Sequence, residues 1–171
     1  EPTRLTMNVL PLSDVSKNDL DLAGGKAANL GALLNQGFPV PQGFVVTAPA
    51  YAALIETLHL TNHLEASENS DLEGGPHGKA IQQLIETTEI AADLKREILA
   101  SHSALQGARS KTIVYAVRSS ATAEDLSDAS FAGQHATYYY VDETDLIEMI
   151  KKCWASLWSE AAISYRNSQG I

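Results

Sequence analysis

Residues 112–141 read TIVYAVRSSATAEDLSDASFAGQHATYYYV, and the fold turns on how this stretch is read. An apolar, β-type run, Ile113-Val114-Tyr115-Ala116-Val117, delivers one arginine, Arg118, at its end. Small and polar residues follow from Ser119 to Asp125. The chain returns through Ser130-Phe131-Ala132-Gly133 into a second β-rich run, Thr137 to Val141. A strand, a loop of small hydroxyl residues and glycine, and a returning strand can present backbone N–H groups to phosphate. The same layout also makes an ordinary hairpin with a long surface loop, and the stretch alone leaves both readings open.

Working outward, the nearest partner in chemistry lies far upstream. Ala23-Gly24-Gly25-Lys26-Ala27-Ala28-Asn29-Leu30-Gly31 opens a helix-period pattern with Ala27, Leu30, Leu33 and Leu34 on one face. Gly37 stands where a C-terminal helix cap belongs. A lysine near a helix N-terminus is mildly unfavourable, because the macrodipole is positive there. Placed after Gly-Gly, it suits an anion that both Lys26 and the free N–H groups can share. The stretch is not a P-loop, since the spacing differs and Ala follows Lys26.

The rest of the chain reads as interleaved helices and strands without a βαβ repeat, so the fold class expected is α+β, a small mixed sheet with flanking helices. Residues 7–12 suit a short edge strand that Pro11 limits. Residues 13–21 read as a polar turn, and Phe44-Val45-Val46 as a buried strand. Thr47 is placed to cap a helix over 48–60. Residues 61–78, with three glycines and a proline over Gly74 to Gly78, read as a flexible loop or linker. Helices are expected over 79–88 and over 91–106, the latter burying Leu94, Ile98 and Leu105. Asp142 or Thr144 is placed to cap one long helix whose buried stripe is Leu146, Ile150, Trp154, Leu157, Ala161 and Tyr165.

Composition narrows the classes. The 171 residues carry a formal net charge of -9, which argues against a nucleic-acid or anionic-membrane surface but not against a single nucleotide. One cysteine, Cys153, excludes an internal disulfide framework and fits a reducing cytoplasm. No run of ~18 apolar residues predicts a membrane span. The five histidines lack metal-ligand spacing, so no metal site is assigned. Glu124 and Asp125 suit solvated loop carboxylates better than Mg²⁺ ligands, and His135 is unassigned. Lys26 and Arg118 together suit a polyphosphate, one as a compact charge and the other as a planar fork. The Ser130–Gly133 turn, with Thr137 after it, is the third candidate group.

Five segments in one order carry a resemblance: GGKxxNLG (24–31), VPxGF (40–44), AVRSSATAED (116–125), ASFAGQ (129–134), and ASLW with AISYR (155–158, 162–166). Essentially the whole chain resembles the N-terminal, ATP-grasp nucleotide-binding region of the phosphoenolpyruvate synthase, pyruvate phosphate dikinase and rifampicin phosphotransferase family. The resemblance implies that residues 1–171 form one ATP-grasp lobe. ATP would be the ligand, its β-phosphoryl passing to a histidine on another domain and then to pyruvate or an antibiotic hydroxyl. Lys26 and Arg118 match the family's triphosphate-binding cations, and Gly133 and Thr137 match its phosphate-covering turn. The implied partners are a second ATP-grasp lobe and a phosphohistidine domain, with Mg²⁺ held by carboxylates that this sequence does not contain. No catalytic residue is assigned, and the isolated lobe is expected to be inactive. A non-catalytic nucleotide-binding module is the alternative from another class.

Overall fold

The computed structural model describes residues 7–58, 76–107, 111–120 and 136–169. These belong to two compact units: Glu1–Ala52, Ala91–Ile113 and Ser120–Ser130 make the first, and Ala53–Ile90, Val114–Ser119 and Phe131–Ile171 the second. Among the described residues helices dominate both, and each holds a two-stranded antiparallel sheet, in keeping with a mixed α and β lobe.

In the first unit β1 (Val9–Pro11) pairs with β2 (Phe44–Val46), Leu10 opposite Val45. A two-stranded sheet has only edge strands, so Pro11 can end β1 without leaving a gap in an inner ladder. The Leu12 N–H continues the contact, donating to the Gly43 carbonyl at 2.9 Å. The segment expected as a polar turn forms two 3-10 turns, Leu12–Asp14 and Lys17–Asp19. A reciprocal capping box holds the second: Asn18 N–H donates to Ser16 Oγ, and Ser16 N–H donates to the Asp19 carboxylate at 2.7 Å.

Helix α1 (Leu20–Asn35) follows, broken at Gly24. It ends in a Schellman arrangement: Gly37 has φ 83°, its N–H reaches the Leu34 carbonyl, and the Phe38 N–H reaches the Leu33 carbonyl. The buried face differs from the periodic expectation. Ala27, Ala28 and Gly31 are buried, Leu30 and Leu34 pack partly against the core, and Leu33 is 39% exposed. Small residues face inward because the Leu12–Val15 backbone comes so close. A Cβ on Gly31 would stand 2.4 Å from the Val15 carbonyl oxygen. Leu10, Leu12, Val15, Leu22, Ala23, Ala27 and Val45 form this core.

Helix α2 (Ala48–Thr57) runs out of the first unit into the second. The hydroxyl of Thr47 does not cap it as expected; it donates to the Met7 carbonyl at 2.7 Å, while the Thr47 carbonyl accepts from Ala50 and Tyr51 N–H. A later helix of the first unit, α4 (Ala92–Gln106), buries Leu94, Ile98 and His102 and packs on β1. Leu105, expected inside, is only partly buried. Asn8 Nδ2 donates to Glu97 Oε1 at 3.0 Å.

In the second unit α3 (Pro76–Thr87) starts earlier than the expected residue 79, because proline suits a first helical turn. Residues 76–78 of the expected linker are thus helical, and 61–75 lie outside the described residues. β3 (Tyr115–Arg118) and β4 (Thr137–Val141) pair antiparallel and lie against α5 (Leu146–Ser156), which also packs on α3. The expected single long helix is two: α5 stops at Ser156 and α6 spans Glu160–Gln169. Between them Trp158 N–H donates to the Ala155 carbonyl at 2.9 Å, a tighter turn that ends α5. The break shifts the buried stripe from the expected Ala161 to Ala162. Among the described residues no helix is long and apolar enough to cross a membrane.

Candidate functional site

The start of the α1 glycine-lysine turn is built by a backbone that cannot be helical at Gly24. That residue has φ 74° and ψ 162°, a left-handed conformation suited to glycine. The helical run therefore restarts at Gly25, and half-buried Lys26 and buried Ala27 fall in its first turn. First-turn N–H groups have no partner within their own helix. Here the Ala27 N–H donates to Ser120 Oγ at 3.0 Å, across a sequence separation of 93. Gly24 lies against the same residue, and a Cβ there would stand 2.0 Å from the Ser120 carbonyl oxygen. The Gly-Gly-Lys turn and the second serine of the Arg-Ser-Ser segment thus form one assembly within the first unit. Ser120 was not singled out from the sequence. Serine is a good helix cap, but a cap from so far along the chain leaves no local pattern.

Arg118 and Thr137 belong to the second unit. Arg118 is the last residue of β3, exposed, and directly opposite Thr137, the first residue of β4. The structure thus brings these two expected site residues together as a cross-strand pair. Lys26 lies in the other unit, and Gly133 lies outside the described residues, as do Glu124, Asp125 and His135. Beside Thr137, burial pushes the Tyr138 phenol above its ordinary 10.0, and the nearby Cys153 thiol adds to the shift.

The pair register carries a bulge. Tyr115 lies opposite Val141 and Val117 opposite Tyr138, so β4 holds one extra residue. Tyr140 absorbs it at φ 58° while 88% exposed. A shallow groove of about 430 Å³ in the second unit is lined by Glu86, Thr87, Thr144, Glu148, Lys151 and Lys152, and it holds none of the expected site residues. Among the described residues no three His, Cys, Asp or Glu side chains are grouped to hold a metal ion. The described residues therefore offer no ready-made ligand set for Mg²⁺.

Comparison with known proteins gives the chain its family. Residues 20–171 match the family described as pyruvate phosphate dikinase, AMP/ATP-binding domain. A probable phosphoenolpyruvate synthase of Archaeoglobus fulgidus is 44% identical over 173 residues, covering 96% of this chain and 23% of that protein. One from Methanocaldococcus jannaschii is 39% identical and covers 94% of this chain and 14% of its own length. The phosphoenolpyruvate synthase of Pyrococcus furiosus is 35% identical, with 92% and 24% covered. The chain therefore spans less than a quarter of the length of each of these relatives.

Proposed function

The chain belongs to the pyruvate phosphate dikinase AMP/ATP-binding domain family, and on that premise we propose that it is the N-terminal ATP-binding lobe of a phosphoenolpyruvate-synthase-like phosphotransferase. The whole enzyme passes the β-phosphoryl group of ATP to a histidine on a separate domain, and from there to pyruvate. Lys26 and Arg118 neutralise charge on the triphosphate, and Gly133 and Thr137 belong to the turn that covers it. Mg²⁺, when bound, supplies further charge neutralisation from ligands outside this sequence. The second ATP-grasp lobe and the phosphohistidine domain are the partners this lobe requires. A reducing cytoplasm suits Cys153, a buried free thiol.

The family match carries this reading. Two placements support it: Lys26 in a first helical turn behind a broken backbone, and exposed Arg118 at a strand end opposite Thr137. The names of the relatives favour pyruvate over an antibiotic hydroxyl as acceptor. Calorimetric titration with MgATP tests the site. Lys26→Ala and Arg118→Ala are each expected to weaken binding by roughly tenfold or more, the loss of one charge-assisted contact. Equal affinity in both variants sinks the assignment. The chain mixed with ATP and pyruvate is expected to form no phosphoenolpyruvate; turnover by the chain alone contradicts the lobe reading.

A further inference from the structure

Gly24 has no side chain with which to cap the helical run that restarts at Gly25, and the acceptor comes instead from Ser120. We propose that Ser120 is a positioning residue for Lys26, an inference that rests on Lys26 being a phosphate ligand. Two independent contacts fix Ser120 in this place. Its hydroxyl oxygen takes the Ala27 N–H at 3.0 Å, which holds the peptide immediately after Lys26. Its backbone is seated against Gly24: a Cβ on that glycine would stand 2.0 Å from the Ser120 carbonyl oxygen and 2.5 Å from its carbonyl carbon.

A serine hydroxyl at a first-turn N–H can act as a strut, or it can hold a place that an incoming phosphate takes over. The main chain of Ser120 is seated against Gly24 and its hydroxyl is already on the Ala27 N–H, the arrangement of a strut, and the substitutions below separate the two roles. The Gly-Gly sequence has a matching explanation. Gly24 supplies the left-handed backbone and the room for Ser120, and the cap it lacks is returned from the far segment. Lys26 then leaves a turn whose backbone is set before nucleotide arrives, so its ammonium loses less freedom on binding.

The test is MgATP titration of the chain carrying Ser120→Ala, Ser120→Cys and Ser120→Thr, each also in a Lys26→Ala background. Removing the acceptor with Ala, or weakening it with the near-isosteric Cys, is expected to weaken ATP binding about tenfold. Thr keeps the hydroxyl and is expected to recover most of the affinity. In ligand-free protein, amide exchange at Ala27 is expected to speed up in the Ala and Cys variants. The decisive readout is coupling: with Lys26 already replaced, the Ser120 substitutions are expected to cost no further affinity. A general structural role instead predicts equal losses in both backgrounds, and that result overturns the proposal. Unchanged or tighter binding in Ser120→Cys also overturns it, the tighter result marking a displaceable hydroxyl. Failure of the unsubstituted chain to bind ATP is a distinct outcome, which overturns the nucleotide reading and the proposal with it.

Discussion

At the scale of single residues, two backbone positions decide what can be changed. Gly24 combines φ 74° with a Ser120 carbonyl 2.0 Å from its missing Cβ. Gly24→Ala is therefore expected to destabilise the protein by about 2 kcal/mol or more, adding backbone strain to a clash with main chain. Urea unfolding checks this, and a change under 0.5 kcal/mol, the range of neutral surface substitutions, contradicts it. Tyr140 presents the reverse case. It holds φ 58° with its side chain 88% exposed, so little packing offsets the strain. Tyr140→Asn, which tolerates this conformation, is expected to stabilise by up to about 1 kcal/mol, read as a higher Tm. Lys26 and Arg118 stand out in the sequence as candidates because a cation at a helix start or strand end is a local oddity, and the structure puts them at such places. Ser120 does not stand out, because the contact that marks it comes from 93 residues away.

At the scale of elements, strands and helices lie close to where the sequence places them, but several helices bury other residues than the periodic stripe predicts, and these departures have local causes. The stripe from Leu146 to Tyr165 reads as one helix because its apolar spacing carries on across residues 157–159. What ends α5 is competition for backbone groups. Ser156 Oγ donates to the Cys153 carbonyl at 2.6 Å, and Arg166 Nη1 donates to the Leu157 carbonyl at 2.6 Å, with the guanidinium Cζ 5.8 Å from the Trp158 ring centroid. Ser159 Oγ then accepts the Ala162 N–H and starts α6. Lys151 fastens α5 to the end of α3, its Nζ donating to the Glu86 and Thr88 carbonyls at 2.6 and 3.1 Å. Lys151→Met keeps the stem but removes these bonds. It is expected to lower stability by about 1 kcal/mol, since a cation at a helix C-terminus also interacts favourably with the negative end of the macrodipole. An unchanged Tm contradicts that role.

The turn before α5 gives a pH signature. Asp142 Oδ1 accepts from Thr144 Oγ1 and from the Thr144 and Asp145 N–H groups, and the Thr144 hydroxyl contributes most to holding its pKa below the ordinary 3.8. The folded state thus favours the carboxylate. Its contribution is fully present above pH 3.8 and fades as pH falls through the lower folded-state value. Asp142→Ala is expected to lower Tm at neutral pH, with the gap to the unsubstituted protein closing in acid. A gap that widens in acid contradicts this sign.

At the scale of the whole molecule, the α+β class was legible in the interleaving of helix and strand patterns, and the family in five motif segments that fall in one order. The division of the described residues into two units was not, because Val114–Ser119 belong to the second unit and Ser120 to the first, without a break in composition. The three relatives named above extend well beyond the stretch they share with this chain, which covers 14% to 24% of their lengths. The proposed reaction accordingly divides its labour, with triphosphate contacts here and the acceptor elsewhere. The most direct test of this account is an amide chemical-shift titration with MgATP. Shifts concentrated at Gly25–Ala27 and at Arg118–Ser120, saturating at millimolar nucleotide and absent in Lys26→Ala, are the predicted result. Saturating shifts confined to other segments, or none at all, contradict the claim that these two turns grip the triphosphate.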